Sequence, residues 1–65
     1  MIVIGDRVCV IFSDLTYILG TVIELGHPYG DLTIKSDTPF LEDIFNDLIL
    51  YRSLREIGEF VFLLE

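Results

Sequence analysis

The sequence predicts one small, mainly-β domain, a sandwich or a barrel, and three observations carry that prediction. Short runs rich in Val, Ile, Tyr and Phe recur along the chain. Turn-forming residues separate them at the spacing of roughly 8–12 residues typical of small all-β folds. The chain has 65 residues and is 52% hydrophobic, enough for one domain only. A domain of this size hides just about 60% of the surface its unfolded form exposes, so it must be unusually apolar, compact or self-associating. No repeat, low-complexity run or linker divides it, and residues 1–65 read as a single unit.

The first strand is Arg7-Val8-Cys9-Val10-Ile11-Phe12. Val8, Val10 and Phe12 alternate onto one face, while Cys9 and Ile11 leave the other only partly polar, the pattern of an interior strand covered on both sides. Ser13-Asp14-Leu15-Thr16 interrupts it, because Ser and Asp bond their own backbone and favour turns. Tyr17 to Leu25 resumes a strand, with β-branched Ile18, Thr21, Val22 and Ile23. Gly20 within that run predicts a bulge or tight bend. Gly26-His27-Pro28-Tyr29-Gly30 is the strongest turn signal and should close a hairpin. The return strand, Asp31 to Ser36, sends Leu32 and Ile34 inward and Thr33 and Lys35 outward.

Residues 37–48 admit two readings. Phe40, Leu41, Ile44, Phe45 and Leu48 recur at helical spacing behind Pro39, which suits a helix of two to three turns. A loop with a tight turn at Phe45-Asn46-Asp47, leading into a strand Leu48-Ile49-Leu50-Tyr51, fits as well and completes a barrel. The tail carries Leu54 and Ile57, a break at Gly58, and an apolar last strand over 60–64. Five consecutive apolar residues must join their own sheet or a second copy, so Phe60, Phe62 and Leu64 are the candidate self-association residues.

Eleven acids against four Lys and Arg give a net charge of −7. Nucleic-acid binding requires a clustered basic face, and Arg7, Lys35, Arg52 and Arg55 are scattered, so neither nucleic acid nor an anionic membrane is an expected partner. Asp37, Glu42, Asp43 and Asp47 follow one another without an intervening base. They are the solvated face of a hydrophobic protein or a recognition surface for a basic one. No uncharged stretch approaches the roughly 20 residues of a membrane span, and no signal-peptide pattern opens the chain. An intracellular, cytoplasmic location is expected.

The catalytic inventory is thin. His27 is the sole imidazole and lies in a turn, a poor platform for a general base. Cys9 reads as a buried, inert strand residue, and a single Cys and a single His support neither a disulfide nor a structural zinc. The carboxylates between 37 and 47 lack the spacing of a calcium loop. No enzyme activity, cofactor or metal is expected.

Ile4-Gly5-Asp6-Arg7-Val8-Cys9-Val10 followed by Gly20-Thr21-Val22-Ile23 resembles the opening of small Src-homology-3-like barrels. These include the KOW and Tudor-like families and a small stromal component of photosystem I. The resemblance spans residues 2–25 and implies a five-stranded barrel, in which Gly5 and Asp6 turn the chain into the first strand. The basic loops of nucleic-acid-binding KOW domains are missing. A cation-binding aromatic cage of the Tudor kind would need several of Tyr17, Tyr29, Phe40, Phe45 and Tyr51 at one barrel end. Such barrels host many functions.

The expected function is a non-enzymatic protein-interaction module. It would recognise a basic partner through Tyr17, Tyr29 and Phe40 as anchors and Glu42, Asp43 and Asp47 as an acidic rim, and could form homodimers. One alternative is a small acidic inhibitor of the kind viruses encode, blocking a nucleic-acid-binding enzyme by charge mimicry. A KOW-like accessory to nucleic-acid machinery is another.

Overall fold

The computed structural model describes residues 1–39 and 48–64. Five strands form one antiparallel sheet: β1 (Arg7–Ile11), β2 (Tyr17–His27), β3 (Gly30–Ser36), β4 (Ile49–Arg52) and β5 (Val61–Leu63). Their order is β4-β3-β2-β1-β5, a four-strand meander whose last strand returns to the first. β4 and β5 are its two edges, and they do not pair, so the sheet is not closed into the predicted barrel. A 3-10 turn, Leu54–Glu56, links them. The short helix or 3-10 turn expected around 39–48 falls largely on 40–47, outside the described residues, as does the tight turn at Phe45-Asn46-Asp47. The strand expected at 48–51 is found as β4. No helix among the described residues is long and apolar enough to cross a membrane.

Period-2 alternation builds the core. Val8 and Val10 of β1, Ile18 and Val22 of β2, Leu32 and Ile34 of β3, Leu50 of β4 and Val61 of β5 share one buried face with Ile2, and Phe12 packs against it. Gly5, at φ +99°, donates its N–H to the Val22 carbonyl at 2.8 Å, and Asp6 caps the same turn by accepting from the Val3 N–H at 2.8 Å. That turn delivers the chain into β1.

Four expectations are corrected. Gly20 is not a bulge. It pairs regularly with Val8 and Ser36, and a Cβ there would stand 2.6 Å from the Lys35 carbonyl oxygen, so glycine is required by close strand approach. The register shift comes later, between Val22 and Glu24. Thr33 does point outward, opposite Tyr51, but it is covered there, only 3% accessible, and among the described residues its hydroxyl has no partner. Cys9 is half-buried rather than buried. β2 runs two residues past the predicted end, which tightens the hairpin to the two-residue turn Pro28–Tyr29.

Candidate functional site

The β1–β2 connection is a three-residue hairpin loop. The Phe12 N–H donates to the Thr16 carbonyl and the Leu15 N–H to the Phe12 carbonyl, both at 2.8 Å. Such loops combine a tight turn with a left-handed residue, a place normally given to Gly. Here it is Leu15, at φ 71° and 83% exposed. Asp14 fastens the loop: its Oδ1 accepts from the Thr16 hydroxyl at 2.6 Å and the Thr16 N–H at 3.1 Å. The hydroxyl bond, then the backbone bond, hold its carboxyl below the ordinary carboxylate value.

The 3-10 turn is fixed by reciprocal capping. Ser53 Oγ accepts from the Arg55 N–H at 3.2 Å, and Glu56 Oε1 accepts from the Ser53 N–H at 3.2 Å. Asp31 Oδ2 takes the Leu54 N–H at 3.0 Å, tying the turn to β3. Glu56 Oε1 lies 3.8 Å from Arg52 Nε, and the Arg52 guanidinium carbon sits 5.5 Å from the centre of the Phe12 ring. Phe60 is placed by two backbone bonds, its N–H to the Glu56 carbonyl at 2.8 Å and its carbonyl from the Ile11 N–H at 2.7 Å.

These elements enclose an open cleft of about 270 Å³ lined by Ile11, Phe12, Ser13, Arg52, Glu56 and Phe60. Its walls are aromatic and aliphatic, and its polar groups are one guanidinium, one carboxylate and one hydroxyl. Tyr17 pairs directly across from Ile11 and is exposed. Asp14, Arg55 and Glu59 adjoin lining residues in sequence, so with Arg52 and Glu56 this end of the molecule carries three acids and two bases. The rings and Ile11 offer contact area, beside a guanidinium and a carboxylate that face each other.

A second aromatic group occupies the other end of β2. His27 stacks on Tyr51 with centroids 4.7 Å apart, and Tyr29 meets both edge-on, at 5.0 Å from His27 and 5.4 Å from Tyr51. His27 Nδ1 accepts the Tyr29 N–H at 3.1 Å, so the histidine is built into the hairpin rather than displayed on it. Rings in mutual contact leave no gap for a cation between them, so these three do not form a cage.

Of the residues singled out from sequence, Tyr17 and Tyr29 lie at opposite ends of the long strand β2 and do not share a surface. Phe40, Glu42, Asp43 and Asp47 lie outside the described residues. Phe60, Phe62 and Leu64 are each partly exposed. Sequence pattern does not mark Phe12, Ser13, Arg52 and Glu56 as cleft residues, nor Leu15 as exposed beside them. Ser53-Leu54-Arg55-Glu56 is a readable capping box that announces the turn positioning Glu56. Leu15 is hidden because it occupies a glycine-type position. No cluster of three potential metal ligands occurs among the described residues. Comparison with known proteins gives no match: no family model, no curated protein and no solved structure corresponds to this chain.

Proposed function

We propose that the protein is a non-enzymatic interaction module of Src-homology-3-like type that holds a short basic, apolar segment of a partner protein in the cleft between the β1–β2 loop and the 3-10 turn. The strand order supports the fold reading, since the two edges left over, β4 and β5, are those whose meeting would close a five-stranded barrel. Arg52 at the end of β4 already reaches over Phe12 at the end of β1.

Leu15 carries the functional reading. A large aliphatic side chain in a left-handed conformation costs about 1–2 kcal/mol, and exposing it recovers nothing by burial. Strain and exposure together, beside a cleft, point to a residue kept for contact. Leu15→Gly should therefore raise stability by about 0.5–1 kcal/mol in chemical denaturation while weakening partner binding.

The test is titration of the labelled chain with arrayed peptides that mix Lys or Arg with Leu, Pro or aromatic residues, followed by amide shifts. Binding peptides should perturb Phe12 to Tyr17, Arg52, Glu56 and Phe60, and bind less well as salt rises. Phe60→Ala and Leu15→Gly should each weaken binding about tenfold or more. Shifts confined to the His27–Tyr29–Tyr51 end, or binding indifferent to both variants, would refute the assignment.

A further inference from the structure

The sheet has a second apolar face. Cross-strand partners project to the same side of a sheet, so the register sorts the residues of β2, β1 and β5 into rows. On the inner side, Ile18, Val10 and Val61 form one row and are buried in the core. On the outer side, Leu19, Cys9 and Phe62 form the central row, flanked by Tyr17, Ile11 and Phe60 on one side. The other flank is Thr21, Arg7 and Leu64, joined by the Leu64 N–H donating to the Arg7 carbonyl at 2.8 Å.

Tyr17, Leu19, Phe60, Phe62 and Leu64 are all exposed on this side, and Cys9 and Ile11 are half-buried between them. Scaling the five exposures by side-chain areas of about 150–250 Å² leaves on the order of 400 Å² of apolar surface. A homodimer interface of standard size contributes roughly 500 Å² of apolar area per side, from ~800 Å² at ~65% apolar. The two figures are close.

The charge on the face selects among occupants. The ionic groups in its rows reduce to the Arg7 guanidinium, which bonds Thr21 Oγ1 at 2.8 Å and both carboxylate oxygens of Asp37. No acid stands within the rows. A basic partner would find no unpaired acid in these rows, whereas a second copy, although it carries the same net charge of −7, would meet only the mutually neutralising Arg7–Asp37 pair at one flank of the contact. A short chain with a single Cys, and so no internal disulfide, is also the kind that gains most from burying such a face.

We infer that two copies of this chain associate through the outer face of β2, β1 and β5, with the Leu19–Cys9–Phe62 row at the centre of the contact. An isologous contact of this kind sets the row against its own symmetry mate. Because each copy is acidic outside the contact, the dimer tightens as salt rises, the opposite of capture of a basic protein.

Light scattering or sedimentation of the full chain under reducing conditions, from about 10 μM to about 1 mM, reads this directly. The expected result is a concentration-dependent rise from the 7.5 kDa monomer toward twice that mass, with a dissociation constant that falls between about 50 and about 500 mM salt. Leu19→Glu and Phe62→Glu should each raise that constant by roughly 30-fold or more. Leu54→Glu, on the 3-10 turn, should leave it unchanged. Both face variants point away from the core, and circular dichroism checks their folding. Should either unfold, wild-type Cys9 supplies a second reading, since its reaction with a thiol reagent should slow about tenfold or more on dimerisation. A monomer throughout this range overturns the inference, whether Cys9 is reactive or shielded by residues of its own chain. So does a dimer insensitive to both substitutions, or association that requires a basic polypeptide and weakens with salt. Neither Leu19 nor Phe62 lines the cleft, but Ile11 and Phe60 belong to both surfaces, so peptide binding is read on the monomeric Leu19→Glu variant, where its loss and the loss of dimerisation are distinguishable.

Discussion

The outer face of this sheet behaves as two different surfaces. Over β3 and β4 it carries Asp31, buried Thr33, Lys35, half-buried Ile49 and Tyr51, with Glu24 from the far half of β2. Over β5, β1 and the near half of β2 it carries Leu19, Cys9, Ile11, Phe60 and Phe62. Both halves are antiparallel and rest on the same core, so neither pairing nor backbone geometry explains the contrast. Alternation of apolar and polar residues is enforced only where water covers one side of a sheet. β3 obeys that rule and β1 does not. The apolar half is the one that the inferred dimer would cover.

The largest effect that would break this comparison is a core truncation. Leu32→Ala on the inner side should cost about 2–5 kcal/mol in denaturant unfolding, since Leu32 is fully buried. Phe62→Ala, on the outer side and 37% accessible, should cost the isolated monomer less, about 1–2 kcal/mol. A comparable loss for both at low protein concentration would mean that the β5–β1–β2 outer face is already covered within one chain.

A smaller effect comes from the polar half. Thr33 is its one buried residue, with a hydroxyl that finds no partner among the described residues. Thr33→Val keeps the shape and removes the orphan group, and should stabilise by about 1 kcal/mol. Destabilisation would mean the hydroxyl is satisfied after all.

The smallest effect lies at the seam, where Arg7 of β1 bonds Asp37 just beyond β3. The Arg7 hydrogen bond, reinforced by its charge, lowers the Asp37 carboxyl below its ordinary value of about 3.8. A depressed folded value means the carboxylate stabilises the fold above the unfolded value and loses that contribution as pH falls through the folded one. Melting temperatures of wild type and Asp37→Asn should therefore differ near neutral pH and converge as pH drops below about 3.8. Both groups are more than 40% exposed, so the difference should be modest and shrink in salt. A gap that widens in acid would contradict the sign.

Much of the fold was legible because strand periodicity is local. Val8 and Val10, Leu32 and Ile34, and the turn at Pro28–Tyr29 follow from spacing and turn chemistry within a few residues. The half-polar outer side of β1 was legible too, in Cys9 and Ile11. The cleft was much less so: it joins a loop at residues 12–16 to a turn at 53–60, and only β5 returning to β1 brings them together. Arg52 and Glu56 look like ordinary surface charges until Phe12 lies under the guanidinium.

Sequence by itself determined that this chain is a small acidic assembly of short strands, because alternation, turn residues and charge act over neighbouring positions. Only the tertiary structure decided that Gly20 serves strand contact, that Tyr17 and Tyr29 part company, and that Leu19, Cys9 and Phe62 form one row. Each of those depends on register between segments distant in the chain, and register is a property of the paired sheet that no single strand encodes.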